Sequence, residues 1–138
     1  MTQQRAATSP ETFEVFVYGT LLRGEPNHRL LAHAEFIAEA STCAEFALHD
    51  HGPFPAMTLG TQQIHGELYR VDADTLAALD RLEGHPRFYH RTHIHLSNDR
   101  RVETYLMRRH QVADLPLIEG GSWRHRHQNT PSHSRRTP

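Results

Sequence analysis

FEVFVYGTLLRG, residues 13–24, is a run of β-branched and aromatic residues that ends in a glycine turn. Its first half predicts a buried strand. The turn from Tyr18 to Gly24 can direct several backbone N–H groups at one point, which is how loops bind a carboxylate or a developing oxyanion. An ordinary strand-to-helix connection, with Gly19 and Gly24 at special dihedral angles, explains the same pattern. The stretch therefore predicts a strand followed by a candidate anion-binding loop.

The rest of the chain predicts several more strands and few helices. A short helix is expected from Pro26 to Ala34. A second helix is expected after the N-cap Asp72, ending at Glu83 before Gly84 and Pro86. Extended segments are predicted at residues 36–48, 57–59, 64–71, 88–96 and 101–108, the last two forming a hairpin. The fold class is α+β, with a mixed β-sheet curled into a small barrel and a few short helices.

Length, composition and charge predict the domain organisation and exclude several classes of function. The 138 residues predict a flexible N-terminal arm at 1–12, one domain at 13–123 and a disordered basic tail at 124–138. All fifteen basic residues are arginines, which excludes lysine Schiff-base chemistry and a Walker-type phosphate loop. Eleven arginines face sixteen acids in residues 1–123, so this acidic body argues against a nucleic-acid ligand. No apolar run suits a membrane helix and no secretory signal is visible, which favours a cytoplasmic setting.

Glu83 is the first candidate for chemistry. Leu76, Leu79 and Glu83 fall on one stripe of the predicted helix, which places a carboxyl where an apolar residue is expected. A carboxyl buried without a cationic partner has a raised pKa and suits general acid/base catalysis near neutral pH. Fraying into solvent, or pairing with Arg87, is the alternative at the same position.

The thirteen histidines and the single cysteine predict less chemistry. His93 and His95 share one face of a strand, but no carboxylate cluster accompanies them. We therefore expect solvated histidines rather than a metal site. Cys43 is expected to be a small core residue rather than a nucleophile.

Three motifs together resemble the γ-glutamylcyclotransferase-like (AIG2-like) superfamily. They are FVYGTLLRGEPNHRLL at 16–31, the strand GELY at 66–69, and LDRLEGHPRFYHR at 79–91, which carries a Tyr-x-Arg element. The sequence GGSW at 120–123 resembles the closing Gly-Gly-x-Trp element, with Ser122 where relatives often have Asp. The resemblance covers about residues 13–123 and is nearest to the γ-glutamylamine cyclotransferase branch.

The resemblance implies a role for each matching residue. The backbone of Tyr18, Gly19, Thr20 and Leu21 would hold the substrate, and Tyr89 would line its pocket. Glu83 would be the catalytic acid/base, and the reaction would need neither metal nor cofactor. The implied substrate is a small γ-glutamyl amine or dipeptide that cyclises to 5-oxoproline. The unaligned region 34–60 is expected to shape the leaving-group side of the pocket.

Two other function classes fit the same residues. One is a module that binds a γ-glutamyl metabolite without turnover, although such a module has no need of a buried acid. The other is a scaffold whose basic tail binds an acidic partner. No pattern in the sequence indicates the oligomeric state.

Overall fold

The computed structural model describes residues 11–127 and contains a curved sheet, a small ribbon and one α-helix. The predicted α+β class is confirmed. The strands are β1 (Thr12–Val17), β2 (Glu35–Ser41), β3 (Phe46–Asp50), β4 (Pro55–Leu59), β5 (His65–Asp72), β6 (His90–His95) and β7 (Arg101–Leu106). The helix α1 spans Ala73–Glu83, and short 3-10 turns lie at His28–Leu31 and Arg109–Val112.

The main sheet has the strand order β2-β5-β1-β7-β6 and is mixed. Strand β1 lies at its centre, antiparallel to β5 and parallel to β7. Strands β3 and β4 form a separate antiparallel ribbon. The second half of this central strand is buried, with Val15 and Phe16 completely so and Val17 2% exposed. The end of β1 therefore delivers the Tyr18–Gly24 loop from a rigid position.

The predicted barrel is wrong, because the sheet does not close. Its edge strands β2 and β6 approach each other only where both end, through a single bridge between Thr42 and Leu96 within residues 11–127. One hydrogen bond on each side of that bridge, from Cys43 N to His95 O and from Ser97 N to Ser41 O, completes the contact. Closure would require a continuous ladder between the edges, and these strands stop before one can form.

Helix α1 begins and ends where the sequence predicts. The Asp72 side chain accepts a hydrogen bond from Thr75 N at 2.8 Å, the usual N-cap contact. Gly84 ends the helix in the left-handed conformation, with φ of 67°. Leu76 and Leu79 are buried against the sheet side of the helix. These helix boundaries place Glu83 at the last helical position, beside the end of β1.

Four segments differ from the sequence-based expectations. The single extended stretch predicted at 36–48 is two strands, β2 in the main sheet and β3 in the ribbon, separated at residues 42–45. The helix predicted from Pro26 to Ala34 is a 3-10 turn, since its N–H groups bond three residues back, as from Leu30 to Asn27. Thr12, expected in the arm, pairs with Asp72 in β1. Residues 124–127, expected in the tail, form a turn on the folded body. The rest of the predicted arm (1–10) and tail (128–138) lies outside the described residues.

Candidate active site

One cavity of about 390 Å³ brings the predicted site residues together. It lies at the junction of the β1 end, the C-terminus of α1 and the loop before β4. Its lining includes all six residues singled out from the sequence: Tyr18, Gly19, Thr20, Leu21, Glu83 and Tyr89. The aligned motifs, although separated by some sixty residues of chain, thus meet at one concave surface.

The loop after β1 presents donors rather than acceptors. The carbonyl oxygen of Gly19 accepts from Leu22 N and that of Thr20 from Asn27 N, while the Leu21 oxygen contacts His28 Nδ1 at 2.9 Å. No group among residues 11–127 accepts a hydrogen bond from the N–H of Gly19, Thr20 or Leu21. Three successive backbone donors are therefore free for a ligand, as in an anion-binding nest.

Two glycines of this loop are required for different reasons. Gly24 has φ of 85°, which favours glycine as expected. Gly19 does not have a positive φ; instead a Cβ there would stand 2.6 Å from Pro55 Cγ. The expectation of a special dihedral angle at Gly19 is thus wrong, and its physical reason is close approach to Pro55.

Tyr18 and Tyr89 use their hydroxyls to fix the cavity walls. The Tyr18 hydroxyl donates to the Tyr105 carbonyl at 2.6 Å and accepts from Met57 N at 3.2 Å. The Tyr89 hydroxyl donates to the Pro55 carbonyl at 2.6 Å. Burial, reinforced by the nearby Glu83 carboxylate, raises the pKa of both phenols. Both tyrosines therefore stay neutral and join the wall elements to one another.

Glu83 is the one charged side chain lining the cavity in the described part of the chain. Its carboxyl makes no hydrogen bond or ion pair with any group in residues 11–127, so the alternative pairing with Arg87 is not seen. Burial raises the pKa of Glu83 from 4.5 to about 7. Its position at the C-terminus of α1 acts in the same direction, since a helix C-terminus disfavours negative charge. Such a carboxyl can both accept and donate a proton near neutral pH.

A partly buried hydrogen-bond network links α1 to strands β6 and β7. The Tyr105 hydroxyl donates to Asp80 Oδ1 at 2.7 Å, and Arg91 Nε donates to the same oxygen at 2.9 Å. Arg91 also pairs with Glu103 across the hairpin. Arg91, which stands in the Tyr-x-Arg element, thus contacts carboxylates on α1 and β7 and does not line the cavity.

The distal end of the loop is tied to a second buried carboxylate. Glu67 is 1% exposed and accepts from Arg23 N at 3.0 Å and from the Tyr69 hydroxyl at 3.0 Å. Arg23 Nε and Arg124 Nη1 donate to its other oxygen at 3.2 and 3.3 Å. Burial alone would raise the pKa of Glu67, but these donors outweigh it and lower the pKa. Glu67 is thus a charged anchor for the loop.

Sequence reasoning missed the apolar lining of the cavity. These residues are Pro53, Phe54, Pro55, Leu82, Phe88 and Tyr105, with Asn27 at the polar side. The region 34–60, expected to shape the pocket, does so through its residues 53–55. A usable signal was the adjacent pair Phe88-Tyr89 beside the predicted acid, whereas the aromatic role of Phe54 depends on packing that no local pattern encodes.

His93, His95 and Cys43 are the other candidates for chemistry that the sequence offered. His93 and His95 are exposed on β6, and no group of three or more His, Cys, Asp or Glu side chains suited to a metal occurs in residues 11–127. Cys43 is partly buried against the core, and its thiol donates to Glu45 Oε1 at 3.3 Å. Within the described segment, no helix has the length and apolar character needed to cross a membrane.

Comparison with known proteins agrees with this geometry. The family described as "Gamma-glutamyl cyclotransferase, AIG2-like" matches residues 15–125, which contain every lining residue of the cavity. The chain belongs to this family. The matched residues of this AIG2-like chain include the second half of β1, the loop after it and all of α1.

Individual relatives support the same assignment. A putative γ-glutamylcyclotransferase of Vibrio cholerae is 40% identical over 109 residues, covering 79% of this chain and 93% of that protein. The γ-glutamylcyclotransferase family protein YtfP of Escherichia coli K12 is 33% identical, covering 79% and 94%. The crystal structure of an AIG2-like protein from Mus musculus superposes with a TM-score of 0.68 at 29% identity, covering 78% of this chain and 86% of that one. This AIG2-like chain thus spans nearly the whole length of the two bacterial relatives.

Proposed function

We propose that this protein is a γ-glutamyl cyclotransferase that converts a γ-glutamyl amide into 5-oxoproline and a free amine. One observation carries the proposal: an unpaired carboxyl with a pKa of about 7 shares a cavity with three free backbone N–H groups. The carboxyl suits proton transfer, and the N–H groups suit an anion. Family membership supports the proposal, since relatives matched over nearly their whole length are named as a putative γ-glutamylcyclotransferase and a γ-glutamylcyclotransferase family protein.

The reaction uses the substrate's own amine as the nucleophile. The α-nitrogen attacks the γ-carbonyl carbon, a new C–N bond closes the five-membered ring, and the old amide C–N bond breaks. Two protons leave the α-ammonium and two reach the leaving nitrogen, which departs as an ammonium. Glu83 carries the two protons one after the other: it takes the first before the attack and gives it to the leaving nitrogen, then takes the second from the ring nitrogen and gives it to the departing amine, so it ends the cycle unchanged.

The loop after β1 has two tasks in this proposal. No cationic side chain lines the cavity in the part of the chain that the structure describes, so the α-carboxylate and the developing oxyanion depend on backbone donors. In this proposal, the N–H groups of Gly19, Thr20 and Leu21 are those donors. Holding the glutamyl group bent in this cavity supplies the proximity that ring closure needs.

The test is incubation with a panel of γ-glutamyl amines and dipeptides, followed by mass spectrometry for 5-oxoproline. We expect 5-oxoproline from at least one amide and none from its N-acetylated counterpart, which lacks the nucleophilic amine. Glutamate as the primary product would indicate hydrolysis and contradict the proposal. Binding without any product would favour the non-catalytic binding module instead.

A further inference from the structure

Four ring-bearing side chains cluster at one side of the cavity. Phe54 and Phe88 meet edge to face with centroids 5.9 Å apart, and Phe88 meets Tyr89 in the same way at 5.3 Å. The His51 ring stacks on Phe54 at 4.6 Å and 23°. Phe54, Phe88 and Tyr89 all line the cavity. We call His51, Phe54, Phe88 and Tyr89 the aromatic wall.

The aromatic wall is left partly uncovered. Phe88 is 42% exposed, and the neighbouring lining residue Leu82 is 38% exposed. Exposed apolar side chains that adjoin a cavity mark a surface where a ligand completes the burial. Other residues of the same two segments are buried. Leu79, on the same helix as Leu82, is completely buried, and Tyr89, next to Phe88, is only 6% exposed. The exposure is therefore local to the mouth of the cavity.

Charge restricts what can lie against this wall. The loop and Glu83 account for the polar groups that a γ-glutamyl moiety needs, which leaves Pro53, Phe54, Leu82 and Phe88 for the leaving amine. None of these four carries a charge or a side-chain donor, and His51, the titratable member of the aromatic wall, does not line the cavity. A carboxylate on the leaving group, as in a γ-glutamyl-α-amino acid, would lose water here without gaining a cation from the lining.

We propose that the leaving amine carries a planar apolar group that lies against Phe54 and Phe88, and that acidic leaving groups are rejected. This inference rests on the proposed function, since it names the class of amide that the same site takes. Ring-on-ring contact and the burial of exposed apolar area both favour such a group. The substrate class is thus γ-glutamyl amides of aromatic or arylalkyl amines.

The experiment compares three amides with the purified full chain: γ-glutamylbenzylamide, γ-glutamylmethylamide and γ-glutamylglycine. We expect kcat/KM for 5-oxoproline formation to be highest for the benzylamide and lowest for γ-glutamylglycine, with about a 10- to 200-fold gain of benzyl over methyl. Phe88→Ala should abolish most of that gain, lowering kcat/KM for the benzylamide much more than for the methylamide. Leu59→Ala, which removes a 61% exposed leucine away from this cavity, is the matched control and should change neither.

The outcomes separate the two proposals. Equal or better turnover of γ-glutamylglycine, or an equal loss for both amides in Phe88→Ala, would overturn the aromatic preference while leaving the cyclotransferase proposal intact. If no amide gives 5-oxoproline, the proposed function fails, and calorimetric binding of the same three amides decides the preference: tighter benzylamide binding supports it and equal binding overturns it. Phe54→Leu provides a second variant should Phe88→Ala melt at a lower temperature.

Discussion

At the residue scale, the half-buried Glu83 differs from Glu67, the buried carboxylate at the far end of the same loop. Glu67 has four donors and a lowered pKa, whereas Glu83 has no protein partner among residues 11–127 and a pKa raised to about 7. A carboxylate that accepts hydrogen bonds from several donors stabilises the fold, whereas a carboxylate without protein partners can interact with a substrate. The contrast explains why two glutamates near the same loop have different tasks.

Glu83→Gln should remove most of the activity without weakening the fold. Glutamine keeps the shape but cannot accept the α-ammonium proton, and loss of a general acid/base costs about 10²- to 10⁴-fold in rate. Affinity for the substrate should change far less. The measurement is kcat, ligand affinity and melting temperature on one preparation. More than about a tenth of wild-type kcat would exclude Glu83 as the catalyst, given that range.

The raised pKa of Glu83 also predicts a pH dependence of stability. Between its unfolded value near 4.5 and its folded value of about 7, the native state binds more protons than the unfolded chain. The free energy of unfolding therefore falls as pH rises through this window. Relative to wild type, Glu83→Gln should gain about 1 to 3 kcal/mol between pH 5 and pH 8. Urea unfolding of both proteins at each pH measures the difference; a constant difference would contradict the raised pKa.

At the element scale, the loop after β1 is shaped by the strand it approaches. Gly19→Ala should destabilise the protein by about 1 to 3 kcal/mol, since the new methyl group has to displace the Pro55 ring. The same shift should move the loop N–H groups and lower kcat/KM. Pro55→Ala removes the obstacle while its carbonyl still accepts from Tyr89. A double-mutant cycle should therefore show a coupling of about 0.5 to 3 kcal/mol, and additive effects would place the strain elsewhere.

The distal half of the loop depends on Glu67. Glu67→Gln removes the charge that four donors share, and we expect a loss of about 2 to 4 kcal/mol in the free energy of unfolding. Glu39→Gln is the matched control: Glu39 pairs with the same Arg23 at 3.5 Å but is 76% exposed. That change should stay within about 1 kcal/mol. Similar losses from both variants, measured by urea unfolding, would show that Glu67 acts only as a surface partner of Arg23.

Elements with local signals were predictable from the sequence, and elements set by distant contacts were not. Asp72 and Gly84 fix the ends of α1 through hydrogen bonds within a few residues, so both ends agree with the prediction. The 3-10 turn at His28–Leu31 depends on Asn27, which bonds back to Thr20 through its backbone and its side chain. Closure of the sheet depends on where β2 and β6 end, and no local pattern carries that information.

The candidate site divides in the same way. Its polar members stand in motifs, so the sequence predicts Glu83 and the Tyr18–Leu21 loop in one place. The aromatic wall is contributed by Phe54 before β4 and Phe88 after α1, and their contact exists only in the folded chain. The sequence also did not indicate why position 19 requires glycine, because Pro55, which a side chain there would clash with, lies thirty-six positions away in the chain.

At the scale of the whole molecule, Trp123 and Arg124 form hydrogen bonds with the loop after β1 and the residue that follows it. Arg124 Nη2 donates to the Arg23 carbonyl at 2.6 Å, and Trp123 Nε1 donates to Glu25 Oε1 at 3.3 Å. The Arg126 guanidinium lies 3.6 Å from the centroid of the Trp123 ring. The closing Gly-Gly-x-Trp element and the residues after it are thus part of the support of the candidate active site.

Two truncations test this support and the scaffold alternative together. Removing residues 124–138 deletes the Arg124 hydrogen bonds and the Arg126–Trp123 contact, and should cost about 2 to 4 kcal/mol of the free energy of unfolding. Removing only 128–138 keeps the Arg124 hydrogen bonds and the Arg126–Trp123 contact, so 5-oxoproline formation should persist and the loss in the free energy of unfolding should be smaller than that of the longer deletion. The measurements are urea unfolding and product mass spectrometry on both truncated chains. If the shorter deletion abolishes turnover, residues 128–138 belong to the catalytic unit; if it abolishes only capture of an acidic partner, the tail has the separate binding role that its arginines suggested.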